Sequence, residues 1–210
     1  MDQSSNIFVI TGPSGAGKGT IINYVLSENS NLGFAVSTTS REPRINEIPG
    51  KDYHFVTKEQ FKKLVKAGAF IEHAEFCDNL YGTTFDEISR LQQSKLDVLL
   101  DLEVCGAYNI KKIYPAATMI YIAPPNIQEL ERRLKLRDTE EFDTINNRIN
   151  QAKFDMDQIE RYDYIIKNNK ITLATLALRH IMAARPGAEQ FRTENQMDFV
   201  RSLKEEFVYG

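Results

Sequence analysis

The stretch TGPSGAGKGT, residues 11–20, carries the plainest chemistry in the chain. Gly12, Gly15 and Gly17 let a backbone curl until successive N–H groups point inward, the arrangement that binds phosphate oxygens. Lys18 adds a mobile cation for the terminal phosphates of a nucleoside triphosphate. With Pro13, Ser14, Ala16, Gly19 and Thr20 they make a near match to the phosphate loop G-x-x-x-x-G-K-[ST]. Gly19 stands where that pattern has its hydroxyl, and Thr20 follows one place late. Mg²⁺ keeps several waters in such sites, so Thr20 or a carboxylate could hold it through water. The loop follows an apolar run and opens a helical pattern, the context such a motif requires.

Further along, STTSREPR (37–44) sets Arg41 and Arg44 on either side of Pro43, whose ring restricts the turn between them. Paired guanidinium forks suit a phosphate dianion. Tyr53 follows in GKDYHF, Glu72 in FIEHAEF, and Tyr81 with Thr83 in YGTT. LLDLEV ends an apolar run with Asp101 and Glu103 two apart, at the end of a central strand where α/β proteins bind ligands. Arg133 and Arg137 are four apart and share a helix face, and Arg148 lies on the next helical segment.

The elements that must position these residues are legible as periodicities. Ile7–Thr11, Val98–Leu102, Thr118–Ala123 and Tyr164–Ile166 read as buried strands separated by helical patterns, which implies an α/β fold with a mainly parallel sheet between helical layers. Residues 34–83 alternate apolar with polar in FAVSTTS, DYHFV and FIEHAEF, as half-buried antiparallel strands do. Between them, Thr57 and Gln60 form a capping box for a helix ending near Gly68. This predicts a small α+β lobe inserted between the first and second core strands. Residues 126–155 read as two polar helices, the second started by Asp138 with Glu141. TENQ reads as a capping box for a last helix striped by Met197, Val200, Leu203 and Phe207.

Bulk properties narrow the class. The 210 residues carry 26 Lys and Arg against 29 Asp and Glu, a net charge of −3, which argues against a general nucleic-acid or membrane-surface binder. The N-terminus has no signal-peptide pattern, and the apolar runs are too short to span a bilayer. The two cysteines, Cys77 and Cys105, read as reduced core thiols, and the histidines have no zinc spacing. These features predict a cytoplasmic protein.

The GKGT ending resembles the loops of nucleoside monophosphate kinases. The ordered set GPSGAGK, STTSREPR, GKDYHF, FIE, YGT and DLE, with the basic helix around Arg137, resembles the guanylate kinase family from Asn6 to about Ala184. The resemblance implies a P-loop three-layer fold, with core segments 6–33, 84–125 and 156–184. It further implies a GMP-binding lobe at 34–83, a helical lid at 126–155 and a C-terminal extension at 185–210. It implies transfer of the γ-phosphoryl group of ATP to GMP, with Mg²⁺, as part of purine nucleotide metabolism. Gly12–Thr20 would hold the ATP phosphates. Arg41, Arg44, Tyr53 and Tyr81 would hold the acceptor phosphate. Ser37, Glu72 and Thr83, with Asp101 close by, would read guanine. Lys18, Arg41, Arg133, Arg137 and Arg148 would stabilise the transferred group, and Thr20 and Asp101 would meet Mg²⁺ through water.

The chemistry of Glu72 stands apart from the resemblance. Guanine offers N1–H and N2–H₂ side by side, and one carboxylate accepts both. Adenine would leave it unpaired, a contrast worth discrimination on the order of 10⁴. GMP, dGMP and ATP are the expected partners of a monomer or homodimer. Asp138 after Arg137, Cys105 after the strand and Leu80 before Tyr81 depart from the family pattern without removing a phosphate-binding group. Two other readings remain open, a scaffold without catalysis and a kinase for another nucleoside monophosphate. The intact loop counts against the first and Glu72 with Ser37 against the second.

Overall fold

The apolar run Ile7–Thr11 forms β1, buried along its whole length. The structure is a computed structural model that describes residues 5–76, 78–137 and 142–209; the side chains of 76, 137, 142–147 and 207–209 lie outside that description. After β1 come α1 (Lys18–Glu28), β2 (Leu32–Phe34), β3 (Thr38–Thr39), β4 (His54–Phe55), α2 (Lys58–Lys66), β5 (Phe70–Phe76) and β6 (Asn79–Thr84). There follow α3 (Phe85–Gln93), β7 (Asp97–Asp101), α4 (Val104–Ile113), β8 (Thr118–Ala123), α5 (Ile127–Arg137), α6 (Phe142–Asp157), β9 (Tyr164–Lys167), α7 (Ile171–Met182) and α8 (Met197–Tyr209).

Five strands form one sheet in the order β2-β7-β1-β8-β9, and four form a second in the order β4-β3-β6-β5. In the larger sheet β2 runs parallel to β7 and β8 parallel to β9. The α/β class with a mainly parallel central sheet is therefore as expected. Among the described residues no helix is long and apolar enough to cross a membrane. The chain divides into two compact units, Met1–Val9 with Ser30–Ala117, and Ile10–Asn29 with Thr118–Gly210.

The first unit holds β2, β7, the four-stranded sheet, and helices α2 to α4. Thr57 accepts from the Gln60 N–H while the Gln60 side chain accepts from the Thr57 N–H, so the capping box forms as read. Phe61 of α2 stacks on Phe70 of β5 at 4.3 Å between ring centroids, tying the helix to its sheet. Glu87 of α3 is buried and accepts from the Val36 N–H at 3.0 Å, which fixes the chain just before Ser37.

The second unit holds the glycine loop, α1, β8, β9, and α5 to α8. Val200 and Leu203 of α8 are fully buried, each contributing roughly 1.5–3 kcal/mol of apolar burial. Glu206 of the same helix accepts from the Ile127 N–H, satisfying a donor at the start of α5.

Several local expectations are corrected. Leu32–Phe34 joins the larger sheet as β2, so two core strands precede the α+β lobe; three residues are too few to show a period. Within the lobe β3 runs parallel to β4 and antiparallel only to β6. Thr193 does not cap α8: TENQ forms a short 3-10 turn, and the buried Thr193 hydroxyl donates to the Tyr162 carbonyl. Cys105 is a free thiol exposed on α4, not a core thiol. Cys77, Asp138 and Glu141 lie outside the described residues.

Candidate active site

The second unit contains the glycine loop. Gly12 has φ 153, and a Cβ there would lie 2.1 Å from the Ile122 carbonyl oxygen. Gly17, the N-cap of α1 at φ 89, would bring a Cβ to 2.5 Å from the Asn168 amide nitrogen. Glycine is thus required at both places by backbone angle and by crowding. Pro13, Gly15 and Ala16 are buried, whereas Ser14, Gly19 and Thr20 are exposed. A Cβ at Gly19 would meet nothing within 4 Å, so crowding does not exclude a side chain at the position where the loop lacks its hydroxyl. Gly12→Ala is expected to destabilise the fold by about 3 kcal/mol or more. Urea unfolding would check this, and an unchanged midpoint would contradict the crowding at Ile122.

Lys18 folds back over this loop, its Nζ donating to the Gly12 carbonyl at 2.6 Å and to that of Pro13 at 3.4 Å. The ammonium is thereby held against the loop that leads into α1, whose N-terminal end carries the positive end of the helix dipole. Arg133 and Arg148 reach the same loop. Arg133 donates to the carbonyls of Ala16 at 3.4 Å and Asn168 at 3.1 Å, and Arg148 donates to the Ser14 hydroxyl at 3.3 Å. The side chain of Arg137 lies outside the described residues.

Two residues of this unit escaped the sequence reading. Asn168 is fully buried just beyond β9 and donates its amide to the Ala16 carbonyl at 2.7 Å, bracing the loop from behind. Glu129 accepts from Arg132 and Arg133, whose hydrogen bonds pull its pKa down to about 2. A polar residue closing an apolar strand, and an acid four residues ahead of Arg133, were the available signals.

The first unit gathers the other set. Arg41 donates to both oxygens of Glu47, at 2.8 and 2.9 Å, and to the Glu42 carbonyl at 2.7 Å. The Glu47 carboxylate raises the Arg41 pKa above its already high value, with Tyr81 adding to the effect, while Arg41 and the Arg44 N–H hold Glu47 below the usual carboxylate range. The Arg41 guanidinium lies 5.4 Å from the Tyr53 ring centroid, and Tyr53 meets Tyr81 edge-on at 6.0 Å. Burial pushes the Tyr53 phenol up, with Tyr81 and, more weakly, the carboxylate of Asp101 acting in the same direction. Arg44 is exposed and enters the cluster through its backbone, donating to Glu47 at 2.8 Å. Glu47 is a third residue that the sequence reading missed.

Glu72 owes its direction to an irregularity. The β5–β6 pairing steps from Phe70 opposite Thr84 to Glu72 opposite Thr83, so Ile71 is an extra residue on one strand. Such a bulge re-aims the side chains beyond it. Burial raises the Glu72 pKa, opposed by hydrogen bonds to the Thr83 hydroxyl and backbone. Thr83 is fully buried, and its hydroxyl lies 3.5 Å from that of Ser37. Ser37, Glu72 and Thr83 therefore form one polar group. Asp101 closes β7 and Glu103 is the N-cap of α4.

A glycine loop with a lysine and arginines in one unit, and both an arginine–tyrosine cluster and a partly desolvated carboxylate in the other, fit a P-loop phosphotransferase. The comparisons narrow the class. The guanylate kinase family model matches residues 4–185. Guanylate kinase of Bacillus anthracis is 36% identical over 200 residues, covering 95% of this chain and 96% of the relative. Guanylate kinase of Prochlorococcus marinus is 38% identical over 182 residues, 87% of this chain and 99% of the relative. The crystal structure of guanylate kinase from Anaplasma phagocytophilum superposes with a TM-score of 0.69 at 30% identity, covering 86% of each chain. The chain belongs to the guanylate kinase family, nucleoside monophosphate kinases that pass a phosphoryl group from ATP to GMP.

Proposed function

We propose that the residues gathered in the two units divide the reaction between them. The loop Gly12–Thr20 grips the ATP phosphates, with Lys18 on the terminal ones. Arg41, Arg44, Tyr53 and Tyr81 grip the phosphate of GMP or dGMP, and Ser37, Glu72 and Thr83 read its base. An oxygen of the acceptor phosphate attacks the γ-phosphorus, the bond to the β-bridging oxygen of ATP breaks, and ADP and GDP result. Charge spreads over the equatorial oxygens during that transfer, so Lys18, Arg133, Arg148 and Arg137 act by neutralising it. Positioning and charge carry the rate, and no covalent intermediate is needed.

Mg²⁺ bound to the nucleotide phosphates would supply further charge neutralisation. The exposed Thr20 hydroxyl and the Asp101 carboxylate are hard oxygen donors that suit it, reached through water. Residues 126–155 would act as a lid that excludes water, and residues 34–83 as the acceptor lobe. We place the reaction in the cytoplasm, in purine nucleotide metabolism and GMP recycling.

The observation that carries the base assignment is the partly desolvated Glu72 grouped with Ser37 and Thr83 in the unit that also holds Arg41, Tyr53 and Tyr81. A coupled assay with ATP and Mg²⁺ tests the proposal: GMP and dGMP should both turn over, and chelation of Mg²⁺ should stop the reaction. Absence of turnover with either acceptor would sink it. The pairing of Arg41 with Glu47 adds a sharper expectation. Glu47 pre-orients the guanidinium and the Arg44 backbone, so Glu47→Ala should raise the GMP KM about tenfold with a smaller change in kcat. An unchanged or lower KM would mean that Glu47 merely competes with the phosphate.

A further inference from the structure

Gly106 is the third residue of α4, a place where helix propensity favours almost any other residue over glycine. Its φ is not positive, so backbone conformation does not call for glycine. A Cβ built at Gly106 would lie 3.1 Å from Cγ of Glu72, 3.2 Å from its Oε2 and 3.3 Å from its Cδ. The three nearest atoms all belong to one side chain, and all sit closer than ordinary carbon contacts of about 3.5–4.0 Å. Glu72 is also held by hydrogen bonds from Thr83, its partner across the bulged β5–β6 pair. A methyl group at 106 would therefore have to move the carboxylate.

We propose that Gly106 is a positioning residue for base selection: the bare first turn of α4 is the surface against which the Glu72 carboxylate rests when it meets the base. A side chain there would shift the carboxylate by a few tenths of an ångström and spoil its simultaneous acceptance of N1–H and N2–H₂. The inference rests on the assignment of Glu72 as the group that reads guanine. It assigns to a residue without functional atoms a share of the selectivity.

Steady-state kinetics of Gly106→Ala with GMP and with IMP, which keeps N1–H and lacks the 2-amino group, test the proposal. The variant should raise the GMP KM about tenfold with kcat within about twofold, a misplacement effect. The GMP preference over IMP in kcat/KM should fall by a similar factor, because IMP uses only one of the two carboxylate contacts. The melting temperature should stay level or rise, since alanine is the better helix former. In a Glu72→Gln background the same substitution should change the GMP KM less than twofold. An unchanged GMP KM overturns the proposal, as does an equal loss for GMP and IMP. If Glu72→Gln alone leaves the GMP KM unchanged, the assignment of Glu72 fails first and the positioning role with it. If Glu72→Gln raises KM and Gly106→Ala does not, only the positioning role fails.

Discussion

Lys18→Ala is expected to lower kcat about 10³-fold while GMP binding, followed by calorimetry, stays within about twofold of the parent. The ammonium is held over the loop by the Gly12 and Pro13 carbonyls, and no backbone N–H can replace its full positive charge. Loss of one preorganised charge or donor at a developing anion costs about 10²–10³ in rate, or about 3–4 kcal/mol of barrier. The residues proposed to hold GMP belong to the other compact unit, within Ser30–Ala117, so GMP binding should survive. Retained GMP binding would also show that the variant is folded. A kcat within tenfold of the parent would remove Lys18 from the transferred phosphate.

Glu72→Gln is expected to act in two opposite directions. The amide presents a donor where guanine also presents donors, so two charge-assisted hydrogen bonds are lost. Each is worth roughly 1.5–3 kcal/mol, and the GMP KM should rise about 10²-fold or more. The free protein, however, should become more stable. Burial raises the Glu72 pKa in the folded state, so folding favours its protonated form. The stability this gives is present at pH below the unfolded carboxylate pKa and is lost as pH rises through the raised folded value. At neutral pH the parent bears a desolvated carboxylate and the variant a neutral amide, so the variant should melt higher; the gap should close as pH falls below the raised pKa. Thermal melts across pH check the sign. Lower stability of the variant at neutral pH would mean that the carboxylate is better satisfied without substrate than its burial suggests.

How much of this was legible depended on the range of the interaction involved. The glycine loop was readable because its chemistry is local: Gly12, Gly17 and Lys18 lie within seven residues, and the buried runs of β1 and β8 have the bounds their composition gives. The capping box at Thr57 and Gln60 was readable for the same reason. The bulge at Ile71 was not, because register is decided by β6 across the pair. Asn168 was invisible as a loop brace, since the Ala16 carbonyl it meets lies 152 positions earlier. Glu47 and Glu129 were missed because acids near basic residues are common, and only coordinates show which arginines each one holds. TENQ failed because the Thr193 hydroxyl found a tertiary partner in the Tyr162 carbonyl that outcompeted the local cap. The case for Glu72 rests on its chemistry, whereas the closeness of a Cβ at Gly106 to its carboxylate required coordinates.

The most direct measurement is the kcat/KM of the unmodified protein for GMP against AMP, with ATP and Mg²⁺ at saturation. A carboxylate that accepts from guanine and finds no donor pair on adenine should give a preference for GMP on the order of 10⁴. AMP turned over within tenfold of GMP would contradict the assignment of Glu72, and with it the account of how this chain selects its acceptor.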